Sequence, residues 1–207
     1  MAKRWRQLTI WLHVLTSVGW MAQVMALCVL LATGLAAGAG PGRDAATAMA
    51  LALDGRLVGP MADASAFTGI MLAAATPWGF FRHWWVLAKF VITLVQLNVG
   101  IFLLSPALQH SAVAGPSPSQ IAGGALMAGA IAFQCWLSIA KPWGRVRPGL
   151  RTVPATAPSW IFIVTVLGGL ADLALAMVIG HPMPLLSLVL IVVGLTSRRS
   201  GVTRIVP

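Results

Sequence analysis

Tyrosine and glutamate are absent from this 207-residue chain, and only 9% of its residues are charged. Soluble domains carry about a quarter charged residues, so a chain this poor in charge is not built to be wetted on all sides. Cysteine is also scarce. Cys28 and Cys135 each lie within an apolar stretch and lack CxxC spacing, which argues against a structural disulfide and says nothing about redox compartment. No GxGxxG follows a strand, and Walker A, HExxH and GxSxG patterns are missing. The common dinucleotide, phosphate-loop, metalloprotease and serine-hydrolase chemistries therefore have no signature here.

What is present is apolar: 58% of residues are hydrophobic and the mean hydropathy is +0.88. Spans of about 20 apolar residues fit the chain as an all-α polytopic transmembrane helical bundle forming one domain over residues 1–207. Six spans are expected, at about 8–33, 45–76, 84–105, 119–140, 159–180 and 184–197. The apolar run from Leu8 is longer than the core of a signal peptide and reads as a retained first helix. Segment 45–76 carries Asp54, Arg56, Pro60 and Asp63 and reads as one helix kinked near Pro60. The last run is short, so it has to tilt, thin the bilayer or re-enter.

The net charge of +10 lies in Lys3, Arg4 and Arg6, in Lys141 to Arg151, and in Arg198 to Arg204, at the ends of apolar runs. That pattern orients a membrane protein; it is not a nucleic-acid footprint. Counting segment 45–76 as a crossing puts Arg82 and all three clusters on one side, so the positive-inside rule gives both termini a cytoplasmic position. The expected partner is the lipid bilayer, and the expected location a bacterial cytoplasmic (inner) membrane.

Depth along the helices sorts the polar residues. His13, Lys89 and Gln134 fall into a layer about 8–9 Å from the cytoplasmic ends, and Asp63, Asn98 and Asp172 into one near 21 Å. Ionisable groups at such depth point to an interior and to function. Each also has a structural reading. His13 can bond a neighbouring backbone, or serve as a haem ligand through neutral imidazole. Lys89 can snorkel to the headgroups, anchor a propionate, carboxylate or lipid head, or carry a proton. Asp63 and Asp172 can be neutral hydrogen-bonded acids, pair with Arg56, or act as an acid–base pair. Arg82 to Trp85 reads as an interfacial anchor. Met21, Met25 and Cys28 share a helix face suited to copper(I), or simply to packing. Gly123-Gly124 and Gly168-Gly169 read as close-packing surfaces.

Trp11-Leu12-His13-Val14-Leu15 with Gly19-Trp20, then Phe67-Thr68-Gly69-Ile70, then Thr76-Pro77-Trp78-Gly79 leading into Arg82 to Lys89, resemble a family of actinobacterial integral membrane proteins. The same stretches are more distantly similar to HemJ-type protoporphyrinogen oxidase and CopD-like copper-resistance membrane proteins. The resemblance covers roughly residues 11–104. It implies a membrane oxidoreductase or electron-transfer protein with haem b, His13 as iron ligand and Lys89 as propionate anchor. A lipophilic partner such as quinone, or a membrane protein partner, would follow. Relatives carry a second histidine near the far end of the lysine-bearing helix, where this chain reads Phe102-Leu103-Leu104-Ser105-Pro106, so a bis-histidine haem is not implied. Two other readings remain: a non-catalytic subunit or small transporter with a polar path past Asp63 and Asp172, and a haem-free enzyme using those two acids on a lipophilic metabolite.

Overall fold

The structure, a computed structural model, describes residues 2–146, 156–179 and 185–201. Expectations for Arg147 to Arg151, for the turn at His181 and for Arg204 lie outside them. The described residues are helical with no strand. The helices are α1 (Ala2–Ala37), α2 (Pro41–Ala75), α3 (Trp84–Ala114), α4 (Pro118–Ala140), α5 (Ser159–Ile179) and α6 (Leu185–Gly201). The first five are long and apolar enough to cross a membrane. The sixth has 17 residues, about 25 Å of helix, and falls short of that length.

Local chemistry sets the helix ends. Gly38 and Gly40 take positive φ between α1 and α2, and Pro41 opens α2, where its missing N–H costs nothing. Ser117 and Gln120 form a reciprocal capping box at the start of α4. Gln120 Nε2 also donates to the Ala107 carbonyl and Ser111 Oγ, both at 2.6 Å, fastening the end of α3 to the start of α4.

Two long helices each contain a π-turn immediately before a proline. Asp54–Val58 precedes Pro60 in α2, and Gly100–Leu104 precedes Pro106 in α3. Widening the helix by one residue absorbs the hydrogen bond that proline cannot make. For α2 this accounts for the expected irregularity near Pro60. For α3 it corrects the expected end near Ser105, because the helix passes Pro106 and runs on to Ala114. Ser105 Oγ donates to Asp54 Oδ2 at 3.2 Å, so the two irregular turns face one another.

α2 is the centre of the bundle, with 67% of its most apolar window buried against 11% for α3. Trp20 and Val24 of α1 meet Val58 and Ala62 of α2 and Met127, Ala128 and Ile131 of α4 in one core cluster. Phe67, Met71 and Leu72 of α2 meet Ile161 and Phe162 of α5 in another. The paired glycines behave as close-packing surfaces: a Cβ at Gly124 would meet Cys28 Sγ, and one at Gly168 would meet Leu190. α3 packs against α2 and α4 about equally and scarcely touches α1. A gap therefore stands between the helix that carries His13 and the one that carries Lys89.

Asp172 explains how α6 is held. Its Oδ2 accepts from the Ser187 N–H at 2.7 Å and its Oδ1 from the Leu186 N–H at 3.3 Å, so it satisfies two free donors of the α6 N-terminus. Asp172→Ala should lower stability by about 0.5–2 kcal/mol and raise hydrogen exchange in α6 ahead of α5. Asp172→Asn, which keeps one acceptor, should do less.

Candidate functional site

His13 sits on α1 against α2, and its surroundings fix which nitrogen is free. Nδ1 lies 3.1 Å from the Ser65 carbonyl oxygen and 3.1 Å from Thr68 Oγ1. A carbonyl can only accept, so Nδ1 carries the proton, and in neutral imidazole Nε2 keeps its lone pair. Among the described residues Nε2 has no partner, yet no buried side-chain nitrogen or oxygen is left unpaired there, so Nε2 has open space before it. Gly69 creates that pose. A Cβ at residue 69 would lie 3.0 Å from His13 Cε1, tight enough to push the ring away. Thr68-Gly69 thus acts as the bed of the imidazole. Ser17 Oγ donates to the His13 carbonyl at 2.7 Å and so accepts from Ser65 Oγ at 2.7 Å, closing the tie between α1 and α2.

Lys89 points inward from α3. Its Nζ donates to Ser138 Oγ of α4 at 2.6 Å, and Ser138 Oγ donates on to the Gln134 carbonyl. From there a polar seam continues between α3 and α4. Thr93 Oγ1 donates to Gln134 Oε1 at 2.9 Å, Gln134 Nε2 donates to Gln96 Oε1, and Gln96 Nε2 donates to the Met127 carbonyl at 3.0 Å. Lys89, Thr93 and Gln96 stand at i, i+4 and i+7 on one helix, with Gln134 and Ser138 at i and i+4 on the other, which is why the stripes meet.

His13, Lys89 and Gln134 line one cavity of about 250 Å³ between α1, α2, α3 and α4. Trp20, Trp78, Phe80, Trp85 and Phe90 supply most of the apolar wall, while Ser17, Ser65, Thr93, Cys135 and Ser138 add polar points. Lys141 closes the rim, its Nζ 5.8 Å above the Trp78 ring. The floor is braced by a bridge between His83 and Arg145, with the Val146 N–H donating to the Arg82 carbonyl at 2.9 Å. His83 itself is bonded to the Trp78 carbonyl through Nδ1 and does not line the cavity.

The deeper polar layer divides. Asp63 and Asp172 are near enough for their charges to interact, but neither lines the cavity with His13 and Lys89. Asn98 is exposed, its Nδ2 donating to the Leu94 carbonyl of its own helix, so the expectation that it faces the interior is corrected. Arg56 is exposed and pairs with neither acid; among the described residues the ion pair is Arg43 with Asp44 at 3.1 Å. The sulfur stripe does not converge either. Met25 is 55% exposed, Met21 packs against the core, and Cys28 Sγ donates to the Ile121 carbonyl. No group of three or more His, Cys, Asp or Glu side chains gathers among the described residues.

Thr68, Thr93, Gln96 and Ser138 are the site residues that sequence reading passed over. The i, i+4, i+7 stripe from Lys89 to Gln96 was the available signal. Fold and cavity together define a class: an all-α bundle whose long apolar helices suit a lipid bilayer, with a part-polar cavity between α1 and α3. The chain matches no protein-family model, no curated protein and no solved structure.

Proposed function

We propose that the chain is a six-span protein of the bacterial inner membrane with both termini cytoplasmic, acting as an oxidoreductase or electron-transfer protein on a lipophilic partner such as quinone. Haem b is the proposed cofactor. The observation that carries this reading is the committed tautomer of His13: Nδ1 is tied to the Ser65 carbonyl, and Nε2 is left free in a cavity shared with Lys89. A ring N–H held by a carbonyl is the usual outer-shell arrangement of a metal-ligating histidine. The distant similarity within residues 11–104 to HemJ-type protoporphyrinogen oxidase supports the same reading.

The residues fit such a group. His13 would hold the iron, Lys89 would bind a propionate, and the Trp20, Trp85 and Phe90 walls would keep water from it. Bound haem supplies one-electron transfer. A second reading, a haem-free protein binding a smaller lipophile, is favoured by size alone. The cavity's 250 Å³ is below the roughly 300–1,000 Å³ of pockets that bury drug-sized ligands. A porphyrin would have to extend through the gap between α1 and α3. The visible spectrum of protein purified in mild detergent, oxidised and then reduced, separates the two. A Soret band that shifts on reduction is expected, and a colourless, folded protein would leave the second reading standing.

A further inference from the structure

The cavity's charge and its opening together select a ligand more narrowly than lipophilicity does. Val14 on α1 is 53% exposed and Leu94 on α3 is 41% exposed, and both also line the cavity. With α1 and α3 scarcely in contact, the space between them opens sideways, where the bilayer lies. Inside, Lys89 Nζ has three donors and spends one on Ser138. No acidic residue lines the cavity. The four aspartates are placed elsewhere: Asp44 on Arg43, Asp54 on Ser105, Asp172 on α6, and Asp63 on α2 outside the cavity lining. An ammonium facing apolar walls without a counter-ion is costly, and a ligand that brings one negative charge removes the cost.

We propose that this cavity takes from the lipid an amphiphile with a carboxylate head, which pairs with Lys89 while its tail leaves between Val14 and Leu94. A carboxylate matches Lys89, the ammonium inside the cavity, since Lys141 lines it only from an exposed position over Trp78; a phosphate monoester with a charge of about −1.5 to −2 would leave excess charge among the aromatic walls. The inference rests on this cavity being the working site and on its haem-free form, the second reading above, because a haem propionate on Lys89 would exclude the carboxylate head.

The test is saturable binding of radiolabelled dodecanoate, dodecanol and dodecyl phosphate to the full chain in zwitterionic-lipid nanodiscs, corrected for partition into empty discs. Dodecanoate is expected to bind once per chain and about tenfold or more tighter than dodecanol, the scale of one charged hydrogen bond. Lys89→Gln, which removes the charge but keeps an N–H donor, should erase that preference, Lys89→Arg should keep it, and Val14→Trp should weaken both ligands. Equal affinity for acid and alcohol, or tighter binding of the phosphate, overturns the assignment. Absence of saturable binding also overturns it, and a Soret band in the same preparation would then mean that haem, and not an amphiphile, holds Lys89.

Discussion

Replacing His13 with alanine is expected to abolish the Soret band while leaving the bundle folded. The imidazole's hydrogen bonds to Ser65 and Thr68 join α1 to α2. Single interhelical bonds of this kind contribute about 0.6–2 kcal/mol in membranes, and the apolar clusters around Trp20 and Phe67 remain. Loss of His13, the one cavity-lining histidine among the described residues, is total for ligation and minor for folding. Gly69→Ala sharpens the test because it removes no donor. Its Cβ would crowd His13 Cε1 at 3.0 Å, so the ring must turn or shift. The band should move or weaken rather than vanish, with the helix content of the wild type. Absorption spectra of the three proteins at equal concentration check both outcomes.

The largest effect on stability is expected at Gln134. Its side chain is buried, accepts from Thr93 and donates to Gln96, so it joins α3 to the bundle at two points. α3 is the least buried of the long helices, so these bonds count for more of its hold than they would elsewhere. Gln134→Leu leaves the Gln96 oxygen buried without a donor, a loss of about 1–3 kcal/mol. Gln96→Leu alone should cost a similar amount by stranding Gln134 Nε2. The double replacement should cost at least about 1 kcal/mol less than the sum of the two, because neither amide is then left alone. Unfolding titrations in mixed micelles measure the cycle. Additive losses would mean the two amides do not act as a pair.

Helix content was legible because apolar runs of this length admit little else in a bilayer, and the irregularity near Pro60 because proline's missing N–H has a fixed consequence. The passage of α3 through Pro106 was not, since proline reads equally as a loop, and only the π-turn at Gly100–Leu104 shows how the helix continues. Depth counting placed His13, Lys89 and Gln134 at one level, and they do line one cavity. It failed at Asn98 because depth says nothing of direction around a helix. Gln96 is buried and Asn98 exposed, two residues and about 200° apart. The beds of His13 and Asp172 depend on how α1 registers with α2 and α5 with α6, which no single helix encodes.

The central claim is that the side chains of residues 13 and 89 face each other across one cavity. The most direct measurement uses His13→Cys and Lys89→Cys together in a chain whose Cys28 and Cys135 are replaced by serine. A short lipophilic bis-maleimide is added in membranes, and the linked peptides are identified by mass spectrometry. The account predicts an intramolecular link between positions 13 and 89, lost when position 89 is returned to lysine and the cysteine moved to the exposed Asn98. Ready labelling of position 89 by a water-soluble maleimide, with no link to position 13, would contradict it.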